Sequence, residues 1–324
     1  MARDNRIDSL KGLLIILVIL GHVITTLDNV NMVNHAVMGL IYIFHMPLFI
    51  LISGYLTKSP EKQPASDMWR GVLNIFITLC IFQVLSGLMI WSMGGDFIKA
   101  VTMLPFGILW YLLSLIYWRI ALYYTPKVLL RRPLLYLAIA LVVSLLCGLT
   151  YLGRFLSLQR SMNFYFFFLL GYYYRQGALS KQWWNNNVIH AVTAVVLLPL
   201  IFWLYPRCGN IMNGADHYPM SGMVEKGLIL ICSTAVSLLV FNLVRDFKWL
   251  RDFGKNSMFH YLYHIFFVSI LAVLLKEYNI PTTLPFILLY TAIIVVLLSL
   301  LSRVGFLRWL TGPFIKRRPT LQAS

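Results

Sequence analysis

Long apolar stretches follow one another from one end of the chain to the other, and short segments between them hold most of the charge. A bilayer-crossing helix needs about 20 largely apolar residues. By that measure spans fall near 10–27, 37–57, 71–92, 104–124, 133–151, 161–176, 187–205, 223–244, 256–275 and 283–304. The sixth is short, and the fourth contains Arg119. The pattern predicts an all-α polytopic membrane protein of about ten transmembrane helices. It reads as a single membrane-embedded domain over 1–324, with a flexible tail from about 312 to 324. The apolar stretch after Ser9 is too long for the core of a signal peptide and lacks a small-residue cleavage site. It is expected to stay as the first span.

Composition agrees. The chain is 60% hydrophobic and 12% charged, against about 25% charged in soluble domains. Its net charge of +16 would raise nucleic acid as a partner in a soluble protein. Here the cations lie mainly between spans, so none is expected. With the N-terminus inside, 20 of the 27 Lys and Arg fall in cytoplasmic segments. Six fall outside, namely Lys99, Arg154, Arg160, Arg207, Lys226 and Lys276. That asymmetry predicts cytoplasmic N- and C-termini. Cys80, Cys147 and Cys232 lie in spans and Cys208 in a loop, without disulfide or metal-ligand spacing; no metal is expected. No internal repeat supports an inverted-repeat transporter. The longest outer loop, near 205–222, carries Asp216 and His217 and reads as a lid or as a plain connector. Tyr172, Tyr173 and Tyr174, and Trp183 and Trp184, read as interfacial belts.

Two histidines within spans change the picture, because ionisable groups in hydrocarbon are costly and mark functional sites. Span one runs inside to outside, with Asp8 and Ser9 placed to cap its start and Lys11 about one turn in. His22 follows Lys11 by eleven residues, about 16 Å along a helix, which puts it in the outer half. Span two returns inward and brings His45 to a similar depth, so one shared site is expected. Met46 and Pro47 follow His45, and a kink is expected at the proline. The competing reading is that each imidazole only bonds a neighbouring helix.

The spacing Lys11-x10-His22 resembles the Arg/Lys-x10-His motif of the membrane acyltransferase family called acyltransferase 3. His45-Met46-Pro47-Leu48-Phe49 through Ile52-Ser53-Gly54-Tyr55 resembles its HMPLFFFISGY signature. Leu109-Trp110-Tyr111-Leu112 is similar to LWFL. Gly153 to Arg160, with Phe166 to Tyr172, resembles the fucose 4-O-acetylase-like branch. Gly254-Lys255-Asn256-Ser257 with Tyr261-Leu262-Tyr263-His264 resembles the closing motif. These matches run in order from residue 6 to 264. Several relatives carry R-x-x-R before span three, whereas this chain reads Asp67-Met68-Trp69-Arg70. No appended extracellular hydrolase-like domain is expected, since the chain ends shortly after span ten.

The resemblance implies about ten spans in a bacterial inner membrane. It also implies O-transfer of an acyl group, usually acetyl, from cytoplasmic acetyl-CoA or another acyl-CoA to a hydroxyl of a surface glycan or lipid-linked saccharide. Acyl-CoA would be a co-substrate, with no bound cofactor. The chemistry fits. A sugar hydroxyl needs a base as it attacks a thioester, and imidazole, with an unperturbed pKa near 6.5, suits that task. His22 and His45 are the catalytic candidates. The developing oxyanion needs fixed donors, from His45, Ser53 or Tyr111. Lys11 and Arg70, with Arg6 less favoured, are candidate contacts for the donor's phosphates, and His264 for the donor channel. Arg154 and Arg160 are candidates to hold the acceptor, with snorkelling as the competing reading. Asp8, Trp110, Ser257 and Tyr261 complete the expected lining. His35, His190 and His217 match nothing, and His260 is expected to face away. A proton-coupled transporter is the alternative class, disfavoured because Asp and Glu are nearly absent from span interiors. A third reading is an N-acetyltransferase at the cytoplasmic face. The sequence leaves open the acceptor sugar, the acyl group, an acyl-enzyme intermediate and the oligomeric state.

Overall fold

The computed structural model describes residues 4–27, 32–102, 105–179, 187–212, 214–278 and 282–313. Among these residues there is no strand. The ten apolar stretches all contain helix. The elements are α1 Asn5–Thr25, α2 Met32–Tyr42, α3 His45–Leu56, α4 Ala65–Ser92, α5 Phe97–Thr102, α6 Trp110–Tyr124, α7 Lys127–Leu130, α8 Pro133–Leu146, α9 Leu158–Gln176, α10 Asn187–Met212, α11 Met223–Leu243, α12 Lys248–Gly254, α13 Ser257–Tyr278, α14 Leu284–Leu301 and α15 Gly305–Leu310. Among the described residues, seven helical stretches are long and apolar enough to cross a membrane. The stretch around α8 and the apolar part of α10 are shorter. α9 runs for 19 residues but carries Gln159, Arg160, Asn163, Arg175 and Gln176. The outward faces are apolar: Leu134 is 74% exposed and Val195 72%. Helices that show such faces outward and satisfy their own backbone are built for lipid. Hydroxyls within them close on the preceding turn, as Thr78 does on Asn74 O and Thr291 on Ile287 O.

α1 is the central strut, buried along most of its length. It starts earlier than the hydrophobic pattern suggests. Asp4 is its cap, accepting from the Arg6 N–H at 3.0 Å. The capping role expected of Asp8 is therefore corrected: Asp8 lies a turn inside, buried, and pairs with Lys11 at 2.7 Å. Ser9 is not the cap either. Its Oγ accepts the Phe247 N–H and tethers the segment leading into α12.

Glycines set the two closest crossings. A Cβ on Gly254 would sit 1.8 Å from Asp8 O, so α12 lies against α1 with backbone touching backbone. A Cβ on Gly171 would sit 1.8 Å from Leu51 O, and one on Gly54 the same distance from Phe168 O, which locks α3 along α9. Small residues at such points are how membrane helices pack without a hydrophobic drive between them.

Four other expectations are corrected. Span two is broken at Ile43–Phe44, two residues before His45, and not by Pro47. Pro47 falls in the first turn of α3, where a helix has no partner for its N–H groups and a proline loses nothing. The long outer loop is shorter, because α10 continues through Pro206 to Met212. Tyr172, Tyr173 and Tyr174 are buried, not interfacial: α9 is covered by α3, α6 and α8, and Tyr173 donates to Leu130 O. Lys226 is not in an outer segment but inside α11, buried and hydrogen-bonded to Asn163 Oδ1. Trp183, Trp184 and the tail beyond 313 lie outside the described residues, and His190, Arg207 and Cys208 are described in backbone only.

Candidate functional site

The break in span two builds the site. Freed at Ile43–Phe44, the carbonyl of Ile41 accepts a hydrogen bond from His45 Nδ1–H at 2.8 Å. A carbonyl only accepts, so in the neutral ring Nδ1 carries the proton and Nε2 keeps its lone pair. Tyr42 packs edge-on to the same ring at 5.0 Å. His22, near the C-terminal end of α1, lines the same cavity of about 300 Å³. The two histidines expected at a similar depth thus line one cavity.

Other expected residues converge there. Trp110, Tyr261, Arg154 and Arg160 line this cavity. The Arg160 guanidinium lies over the Trp110 ring at 5.1 Å, a cation–π contact that holds it. Arg154 and Ser157 come from a turn with unusual backbone: Leu156 and Ser157 have φ of 45° and 56° without being glycine. Such strain clusters at functional sites. Gln159 secures the turn, accepting from Gly153 N–H and donating to Asp216 O, both at 2.8 Å. His217 stacks on Tyr151 nearby.

His264 is placed differently from the donor channel expected for it. Its ring lies 5.2 Å from that of His22. Its Nδ1–H donates to Tyr261 O at 2.6 Å, while Nε2 is buried without a hydrogen-bond partner. The reason is register: residue 264 lies two turns into α13, level with the upper half of α1. His260 turns the other way and stacks flat on Phe253 at 3.8 Å.

Ser53 and Tyr111 are not in the histidine cavity. Their hydroxyls bond each other at 2.6 Å, and they line a second cavity of about 170 Å³ with Lys11, Ser257 and Arg119. Tyr261 is common to both cavities. It is held by its hydroxyl on Ile108 O at 2.6 Å, with the Tyr111 ring 5.4 Å away and Phe49 stacked at 6.1 Å. These three rings partition one cavity from the other. Lys11 faces the second cavity while paired to Asp8, so its charge is partly answered before any ligand arrives. Arg70 lines a third and larger cavity, about 560 Å³, toward the face that carries the N-terminus. Arg6 lies over Phe241 and lines none of these cavities. Lys255, of the closing motif, pairs with Asp252 at 2.7 Å in the surface segment and holds that carboxyl below its usual range.

Tyr42, Ser157 and Phe164 line the histidine cavity without having been singled out by sequence. Tyr42 lies three residues before His45, a helical neighbour by spacing, and that was the available signal. Ser157 lies inside the Gly153–Arg160 stretch that resembles the family, which was its signal; Phe164 gave none, since its place depends on how α9 packs.

The bundle turns apolar faces outward and brings His22 and His45 to one interior cavity. The acyltransferase domain family (acyltransferase 3) matches residues 4–303, and the chain belongs to it. Nodulation protein NolL of Sinorhizobium fredii (strain NBRC 101917 / NGR234) is 49% identical over 59 residues, 17% of this chain. The matched part spans 16% of that protein's length. No solved structure matches.

Proposed function

We propose that the chain is an O-acyltransferase of a bacterial inner membrane, with about ten spans and both termini cytoplasmic. It moves an acetyl or other small acyl group from cytoplasmic acyl-CoA to a hydroxyl of a surface glycan or lipid-linked saccharide. The observation that carries this is the pairing of cavities: a histidine cavity with Arg154 and Arg160 on one side of Tyr261, and a cation-lined cavity series on the other.

His22 takes the proton from the acceptor hydroxyl. The oxygen attacks the thioester carbon, the C–S bond breaks, and the leaving thiolate takes the proton from the imidazolium. An ester and free CoA result. The lone pair on His264 Nε2, with its other nitrogen fixed on Tyr261 O, is available to orient His22. His45, bonded through Nδ1, presents an acceptor, so it suits a second hydroxyl contact better than an oxyanion donor. Ser53 and Tyr111 are separated from the reaction by the ring partition. Arg160, Arg154, Tyr42, Trp110 and Ser157 carry donors on the lining of the cavity itself.

Sealed inverted vesicles given labelled acetyl-CoA are expected to label a sugar or lipid fraction, and mild alkali to release the label. Label that resists alkali would mean an amide and an N-acyl product. No incorporation at all would sink the transferase assignment in this form. Sidedness is tested separately. A cysteine beside Arg160 is expected to react with an impermeant thiol reagent from the periplasmic face only, and one beside Lys11 from the cytoplasmic face only. Labelling of both from one face would overturn the topology.

A further inference from the structure

One intramembrane arginine has no part in the chemistry above. Arg119, on α6, lines three cavities in turn. These are the one with Lys11 and Tyr261, a neighbour of about 190 Å³ with Lys58, and the 560 Å³ cavity with Arg70. Its Nε is shut off from solvent without a hydrogen-bond partner. No ion pair joins it to a carboxylate among the described residues. Its Nη1 lies against α4, where a Cβ on Gly71 would meet it at 3.3 Å. Gly71 directly follows Arg70, so two guanidinium groups from different helices approach one cavity.

Charge inside a membrane protein is costly and marks a ligand path or a partner. Here the built-in partner is missing, and the cavity accumulates more positive charge: Lys58, Arg70 and Arg119 line it, against one carboxylate, Asp67. Its volume lies within the range of small-molecule sites. Guanidinium forks match phosphate oxygens in a bidentate way that an ammonium does not.

We propose that Arg119 and Arg70 together form the binding site for the phosphate groups of the acyl donor. This rests on the acyl-CoA reading above. Arg119 supplies from α6 a second guanidinium, which the stretch Asp67-Met68-Trp69-Arg70 lacks. Its place on three cavities marks the route: phosphates stay in the large cavity, and the arm of the donor threads past Lys11 toward Tyr261. Lys11 and His22 are separated by about 16 Å along α1, a distance that an extended pantetheine arm covers. The thioester then reaches the histidine cavity while the nucleotide never leaves the cytoplasmic side.

The test uses the full chain in nanodiscs, with CoA and S-acetylpantetheine as probes; the second carries the thioester arm without nucleotide phosphates. Arg119→Gln is expected to weaken CoA binding by about tenfold or more, the scale of a lost charge-assisted hydrogen bond. The donor KM of acetyl-CoA rises in parallel, while the KM of S-acetylpantetheine changes by less than about twofold on the same scale. Arg119→Lys is expected to fall between wild type and Arg119→Gln, since charge remains but the fork is lost. Unchanged CoA affinity in a folded Arg119→Gln overturns the proposal, as does equal weakening toward both probes, which would make Arg119 structural. If Arg119→Gln does not accumulate, Arg119→Lys decides, and wild-type CoA affinity there overturns it. If wild type transfers from acetyl-CoA yet Arg119→Gln binds CoA normally, the Arg119 site alone fails. If wild type binds no CoA, the donor reading itself falls.

Discussion

His22→Ala is expected to lower acyl transfer by a factor of about 10²–10⁴, the contribution typical of a positioned general base. The loss falls on kcat and kcat/KM together, because a base acts as the bond forms and not as substrate binds. The fold is expected to survive. The His22 ring already faces a cavity, so truncation enlarges existing space without opening a void in packed core. Quantified membrane protein and a labelled-acetyl assay settle it together. A variant that accumulates normally and keeps more than about a tenth of the wild-type rate would remove His22 from the role of base. His264→Ala is the informative companion. Its ring lies beside His22 and bonds Tyr261 O, so the orienting role predicts a smaller loss in kcat with donor KM unchanged.

Lys11→Ala is expected to damage the protein twice over. Removing the ammonium leaves the buried Asp8 carboxylate without its 2.7 Å partner. Breaking such a pair from one side costs about 3–5 kcal/mol, so less protein should accumulate. What remains should bind acyl-CoA poorly, since Lys11 faces the cavity next to Arg119. The two effects separate in the double variant Asp8→Asn/Lys11→Met, which removes both charges. It is expected to accumulate better than Lys11→Ala while its donor KM stays raised. A normal donor KM in that double variant would confine Lys11 to a structural pair. Lys11→Arg keeps charge and partner and should retain much of the activity.

The helices were legible, each apolar stretch becoming helix, because hydrophobic length is a one-dimensional property; seven of the stretches are long and apolar enough to cross a membrane among the described residues. The histidine pair was legible for a similar reason: helical rise converts residue number to depth, so His22 and His45 could be placed at one level before any packing was known. Hydropathy does not report where a span breaks. The break at Ile43–Phe44 lies before the proline, where the Ile41 carbonyl takes the His45 ring and the Phe44 N–H in place of the usual helical partner, a local side-chain contact that hydropathy does not score. Depth likewise says nothing of rotation about a helix axis. Ser53 and Tyr111 carry the right donors for an oxyanion, yet they face the other side of Tyr261. Arg119 was visible as an oddity within a span, but its significance depends on α4 approaching closely enough for Gly71 to touch it. The tyrosines of α9 looked interfacial because aromatic runs at span ends often are; which helices cover α9 is a property of the assembled bundle.

The partition by Tyr261, Tyr111 and Phe49 also bears on the energy economy of the cell. On the sidedness proposed above, the two cavities together are, in outline, a hole through an insulator. A charge crossing a membrane releases about 2.3 kcal/mol for each 100 mV of potential, and an open water column joining the two cavities would discharge it continuously. Three stacked and edge-packed rings, with the Tyr261 hydroxyl tied to Ile108 O, stand where the two cavities meet and interrupt such a column. Removing the ring shared by both cavities, in Tyr261→Ala, would then produce a proton leak measurable in proteoliposomes even when no substrate is present.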